Sequence, residues 1–187
     1  MQDLPVGPAT YADLVAVPPH LVAEIIGGRL VTHPRPAPRQ STSASRLGVI
    51  IGHAFDWELG GTPGGWWIIF EPELHLGLDI VVPDIAGWRH ERMPQLPATA
   101  WFEIVPDWVC EVLSPSTIRR DKGEKRDIYG ANGVRHLWHV DVATKLLEVF
   151  ELTEGRWMLH RTFRDDESVA APPFEAVPFD LRPLWPR

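Results

Sequence analysis

Residues Trp108 to Leu113 (WVCEVL) are apolar except for one carboxylate, and the chain then turns through Ser114-Pro115-Ser116-Thr117 into helical spacing. An apolar run of this length, closed by a serine/threonine cap, reads as a buried strand leading into a helix. An ionised glutamate in such a strand is costly unless it is paired or holds a cation. The same tension recurs upstream, where Asp84 follows Pro83 at the mouth of another apolar strand, Ile85 to Trp88. Two acids on neighbouring strands would repel, and a divalent cation would relieve that repulsion. Magnesium or manganese suits the case, since magnesium needs only one or two carboxylates, waters and substrate phosphate oxygens. The bland alternative is that Asp84 caps a turn and Glu111 faces solvent at a sheet edge.

The helix after the cap is expected over Thr117 to Ala131, stopped by Asn132-Gly133. Asp121, Lys125 and Tyr129 recur every four residues and share one face. Glu111 lies three residues before Ser114, roughly 10 Å back along the strand at about 3.3 Å per residue. Lys125 lies about 12 Å into its helix at 1.5 Å per residue. A helix folding back on the strand therefore returns Lys125 to the level of Glu111. There an ammonium could stabilise a developing phosphorane charge or orient an attacking water. An ordinary Asp121–Lys125 surface pair is the alternative. The stretch from Arg119 to Arg135 holds six basic residues against three acidic ones, among them Arg119, Arg120 and Lys122 as candidate contacts to a nucleic-acid backbone.

The rest of the 187 residues supply the frame. A short helix is expected after Thr10, a hairpin at Gly27-Gly28 between Leu21 and Val31, and an irregular arm over residues 33–40, where three prolines fall. A helix is expected over residues 41–59, broken by Gly60 to Gly65. Strands follow at Trp66 to Phe70, at 73–82 as one alternating strand with Leu74, Leu76, Leu78 and Ile80 on one face, and at 134–141, 146–152 and 156–163. A proline-rich tail runs from Ala171. The order points to one mixed α/β domain rather than a doubly wound sheet.

Composition narrows the chemistry. The net charge of −7 excludes a polybasic coat protein but not a local basic patch. The single cysteine, Cys110, excludes a disulfide framework, and as the neighbour of Glu111 it faces the other side of the sheet. His136 and His139, three apart on a strand, cannot chelate together. No apolar run reaches membrane-spanning length and no signal pattern opens the chain, so no membrane association and a cytoplasmic location are expected.

The string from Asp107 to Asp141 resembles the C-terminal signature of the Uma-two family of restriction-endonuclease-like proteins. The matching residues are Pro83-Asp84, Glu111 to Thr117, Asp121, Lys125, Tyr129, Gly133-Val134 and Trp138 to Asp141, and the segment AEIIGGRLV places Glu24 on the family's early acid. The resemblance covers about Tyr11 to Phe163. It implies a PD-(D/E)XK nuclease core, a central mixed sheet flanked by helices. Asp84 and Glu111 would then bind the metal, Glu24 would complete the acidic cluster, and Lys125 would act as the helix lysine, with Asp121 and Tyr129 in support. The wider pattern's lysine two residues after the second acid is Leu113 here, and Gln40 stands near a histidine of many members. Gly27 replaces the usual aspartate of the early hairpin. The expected partner is DNA and the expected assembly a homodimer. The competing expectations are a catalytically inactive nucleic-acid-binding module that keeps the fold, and a self-associating structural domain.

Overall fold

The computed structural model describes residues 7–57 and 62–186. Helix α1 (Tyr11–Val15) starts from a capping box between Thr10 and Asp13. Strands β1 (Leu21–Ile26) and β2 (Arg29–Pro34) form the expected hairpin, with Gly27 and Gly28 at φ 57° and 72°. Two successive positive φ values are the type I′ requirement that makes glycine the natural choice there.

The proline arm is more ordered than its composition suggests. Pro34 ends β2, an edge strand where a missing N–H costs no ladder bond. Pro38 opens helix α2 (Pro38–Phe55), where the lost donor would be unpaired anyway. The helix thus begins three residues before its serine/threonine stretch, and the end expected at 58–59 and the first glycines of the break lie outside the described residues. Leu47, Ile51, Ala54 and Phe55 are its buried stripe.

After β3 (Trp66–Phe70), the segment expected as one strand is a hairpin of β4 (Leu74–Leu76) and β5 (Asp79–Val81). Gly77 at φ 66° turns the chain, and Leu78, assigned by alternation to the buried face, is 92% exposed at the tip. Then come β6 (Ile85–Arg89) and β7 (Trp108–Leu113). The helix after β7 is three pieces: a single turn α3 (Ile118–Arg120), a π-helical turn over Asp121–Lys125, and α4 (Arg126–Ala131). Strands β8 (His136–Asp141), β9 (Leu146–Thr153) and β10 (Arg156–Arg164) follow. The tail adds a small pair, β11 (Ser168–Val169) and β12 (Phe179–Asp180), and buries Phe174, Leu181 and Leu184.

The fold is mixed α+β. A six-stranded sheet runs β10-β9-β8-β7-β6-β3, and an antiparallel sheet of four runs β2-β1-β5-β4. In the large sheet only β7 and β8 are parallel, and the α3–α4 segment is the crossover such a pair requires. One face of that sheet packs Trp108, Cys110, Val112 and Trp138 against α2 and Phe174. The other packs Val109, Leu137 and Ala86 against Tyr129 of α4 and Leu74, Leu76 and Val81 of the small sheet. Strand alternation therefore sends Cys110 to the α2 side and Glu111 to the crossover side. Among the described residues no helix is long and apolar enough to cross a membrane.

Candidate active site

The register Ile85↔Cys110 makes Asp84 and Glu111 the next opposed pair, so their side chains leave the same face of adjacent strands. Asp84 Oδ2 accepts the Val112 amide at 2.6 Å. Burial nevertheless raises its pKa to about 6, offset in part by that amide and by Lys125, with Asp121 and Glu71 adding to the rise. Glu111 is almost fully buried, and burial pushes its carboxyl well up against the pull of Lys125, with Asp121 and Asp84 reinforcing the shift.

The crossover helix folds back as its geometry requires. Lys125 Nζ stands 2.8 Å from Glu111 Oε1, 3.0 Å from Glu24 Oε1 and 3.0 Å from the Val82 carbonyl. Tyr129 donates its hydroxyl to the same Glu111 oxygen at 2.6 Å. Glu24, buried on β1, also accepts the Val82 amide at 2.9 Å, and its second oxygen lies 3.6 Å from His33 Nε2. Burial alone would raise the Glu24 pKa, but Lys125, His33 and Val82 outweigh it and hold it at about 2.

The π turn explains how three residues spaced by four converge. In an α-helix each step of four overshoots a full turn by about 40°, so Asp121 and Tyr129 would diverge by about 80°. A wider π turn between Asp121 and Lys125 under-rotates and cancels that drift. Asp121, Lys125 and Tyr129 are accordingly all buried. Burial raises the Asp121 pKa, against the pull of Lys125 and a hydrogen bond with Thr117.

These groups border a cavity of about 240 Å³ lined by Asp84, Glu111, Asp121 and Lys125. Glu24 is absent from its wall and reaches the site through Lys125. Two basic lining residues had no sequence assignment to the site: His33 and Arg35 of the proline arm. The only signal for them was a histidine and an arginine on either side of Pro34. Gln40 lines the cavity too. The three proposed backbone contacts do not reach it: Lys122 is paired with Glu148 at 2.6 Å, Arg119 is exposed, and Arg120 has a buried Nη1 without a hydrogen bond. Trp88, beside the site on β6, is buried, with its indole N–H on the Ile104 carbonyl.

Among the described residues no three His, Cys, Asp or Glu side chains gather as a ready-made metal cage. The donor set still fits a hard cation that keeps much of its water. Asp84 engages Oδ2 and Glu111 engages Oε1, while the second oxygen of each makes no hydrogen bond among the described residues and both carboxylates line the cavity. Two carboxylates beside open space are a magnesium-type arrangement. The sequence expectation that Lys125 orients the water meets an obstacle. An ammonium has three donors, and three oxygens already stand within 3.0 Å of this one.

The family model described as "Uma2: Putative restriction endonuclease" matches residues 8–182. No curated protein matches the chain. Among solved structures, one titled as a "putative nuclease belonging to DUF820" from Anabaena variabilis ATCC 29413 superposes with a TM-score of 0.76 at 21% identity, covering 95% of this chain and 98% of that one. At that identity the likeness concerns the fold.

Proposed function

The chain belongs to the Uma2 family described as "Putative restriction endonuclease", and from that premise we propose that it is a metal-dependent endonuclease hydrolysing DNA phosphodiester bonds. The observation that carries the proposal is the opposed pair Asp84 and Glu111, both lining the cavity, with Lys125 against the second. Asp84 and Glu111 would hold magnesium or manganese. When bound, such a cation supplies a Lewis acid for the phosphoryl oxygen and a water of lowered pKa.

The protein's own groups then have distinct tasks. Lys125 favours the carboxylate form of Glu111 against its burial. Tyr129 fixes the Glu111 oxygen that Lys125 also holds, which leaves the other for the cation. Glu24 anchors Lys125, and Asp121, hydrogen-bonded to Thr117, lines the cavity beside it. Lys125 thus acts through Glu111 rather than on the water directly. Two copies of the chain would serve both strands of a duplex, and light scattering tests that stoichiometry.

The test is magnesium-dependent plasmid cleavage by the purified protein and by its Asp84→Ala and Lys125→Ala variants. Each substitution is expected to reduce the rate at least about 100-fold. Undiminished cleavage by either removes that residue from the mechanism.

A second reading, a nuclease fold that binds nucleic acid without cutting it, is favoured by the buried Leu113 at the expected lysine position and by the full complement of acceptors around Lys125. Calorimetric titration separates the two. The enzyme reading requires the wild type to take up magnesium or manganese and the Asp84→Ala variant not to.

A further inference from the structure

A phosphodiester entering this cavity needs a cation with free donors, and Lys125 has oxygens around all of its own. The other permanent cation on the wall is Arg35. Its position between Pro34 and Pro36 restricts the backbone on both sides. Nη1 donates to Glu71 Oε2 at 3.0 Å and Nη2 to the Pro19 carbonyl at 3.3 Å. A guanidinium has five N–H groups, so donors remain.

Glu71 is the residue after β3. The register Phe70↔Ile85 sets it beside Asp84, and its amide donates to the Asp84 carbonyl at 3.0 Å. A second cavity of about 290 Å³ shares Pro36 and Asp84 in its lining, and Glu71 lines that second space. The Arg35–Glu71 pair therefore ties the wall of one cavity to the wall of the other, and Asp84 lines both. A carboxylate offers a guanidinium the same two-oxygen face that a phosphate does.

We propose that Arg35 captures the DNA phosphodiester at the mouth of the site, and that Glu71 is an internal stand-in for that phosphate, displaced when substrate arrives. The proposal rests on the nuclease reading of the same site. The two side chains are 54% and 43% exposed, which makes their pairing weak and readily exchanged. Release costs little, while the arriving phosphate gains a charge-assisted, two-point contact. With Glu71 in place the Arg35 charge is balanced, which disfavours loose, sequence-independent retention of DNA.

The experiment is fluorescence anisotropy of a short labelled DNA duplex in EDTA, with the full chain as wild type, Arg35→Gln, Glu71→Gln and the double variant. Circular dichroism checks folding, which exposed positions should not disturb. Arg35→Gln is expected to weaken binding about ten-fold, the loss of a hydrogen bond to a charged partner. Glu71→Gln is expected to tighten it about two- to five-fold, the strength of an exposed pair. In the Arg35→Gln background the Glu71→Gln effect should vanish. Equal tightening in both backgrounds would mean that Glu71 acts only through bulk charge, and it overturns the proposal. So does unchanged affinity of Arg35→Gln, or no binding by any of the four proteins. Plasmid cleavage by the wild type is scored separately. Cleavage with no coupling between Arg35 and Glu71 retires this assignment and leaves the nuclease reading, whereas coupling without cleavage under any divalent metal does the reverse.

Discussion

Asp84→Asn should make the protein more stable at neutral pH. The carboxyl of Asp84 titrates near 6 in the fold against 3.8 ordinarily, chiefly because it is buried. The folded state therefore holds its proton more tightly than the unfolded chain does. Its favourable contribution is fully present below pH 3.8 and is lost as pH rises through about 6. The difference of about two pKa units, at about 1.4 kcal/mol each, amounts to about 3 kcal/mol of destabilisation at pH 7. Asparagine keeps an oxygen for the Val112 amide and carries no charge. Removing the charge also eases ionisation of Glu111 across the strand pair. At roughly 2–4 °C per kcal/mol for a chain of this size, the melting midpoint should rise by about 6–12 °C at pH 7. The advantage should shrink as pH falls and close near pH 4. Magnesium should raise the midpoint of the wild type and leave Asp84→Asn unmoved. Scanning calorimetry across pH, with and without magnesium, reads all of this. A variant no more stable than wild type at pH 7, or an advantage independent of pH, would refute the claim that function holds an unfavourable charge at this position.

Lys125→Met should have the opposite sign, destabilising by about 3–5 kcal/mol in urea at pH 7, because Glu24 and Glu111 lose their shared buried counter-ion. In the wild type the depressed Glu24 adds stability that is present above pH 4.5 and lost as pH falls through about 2; the variant's curve should lack that step. His139 is buried with both ring nitrogens unbonded, and burial, with Lys122, Arg126 and Lys125 nearby, lowers its pKa from 6.5 to about 3. Its contribution is present above pH 6.5 and lost as pH falls through about 3, up to about 5 kcal/mol. His139→Phe should flatten that part of the stability curve in urea titrations, and an unchanged acid limb would show that His139 is not the group responsible.

Much of the fold was legible because it is local. Period-two alternation placed Cys110 and Glu111 on opposite faces, and the structure puts them there. The double glycine called for a hairpin, and rise per residue returned Lys125 to Glu111. Local rules failed where two local signals competed. Leu78 continued an alternating pattern, yet Gly77 could take the positive φ that makes a turn, and the turn prevailed. Prolines 34 and 38 read as breakers because composition does not say whether a missing N–H falls on a sheet edge or in a first helical turn. The π turn left no trace in the sequence, since spacing by four is also what an ordinary helix shows.

The sequence by itself determined the site's ingredients: two acids in apolar strands, a capped helix that folds back, and a lysine at the right height. Period and rise set these, and both belong to the backbone. Only the tertiary structure decided which oxygens remain free, that Lys125 is ringed by Glu24, Glu111 and Val82, and that Arg35 pairs with Glu71. Proton affinities near 6 for Asp84 and near 2 for Glu24 belong to that second class. They arise from desolvation and from charges brought close by distant segments of the chain, and no local pattern of residues encodes either.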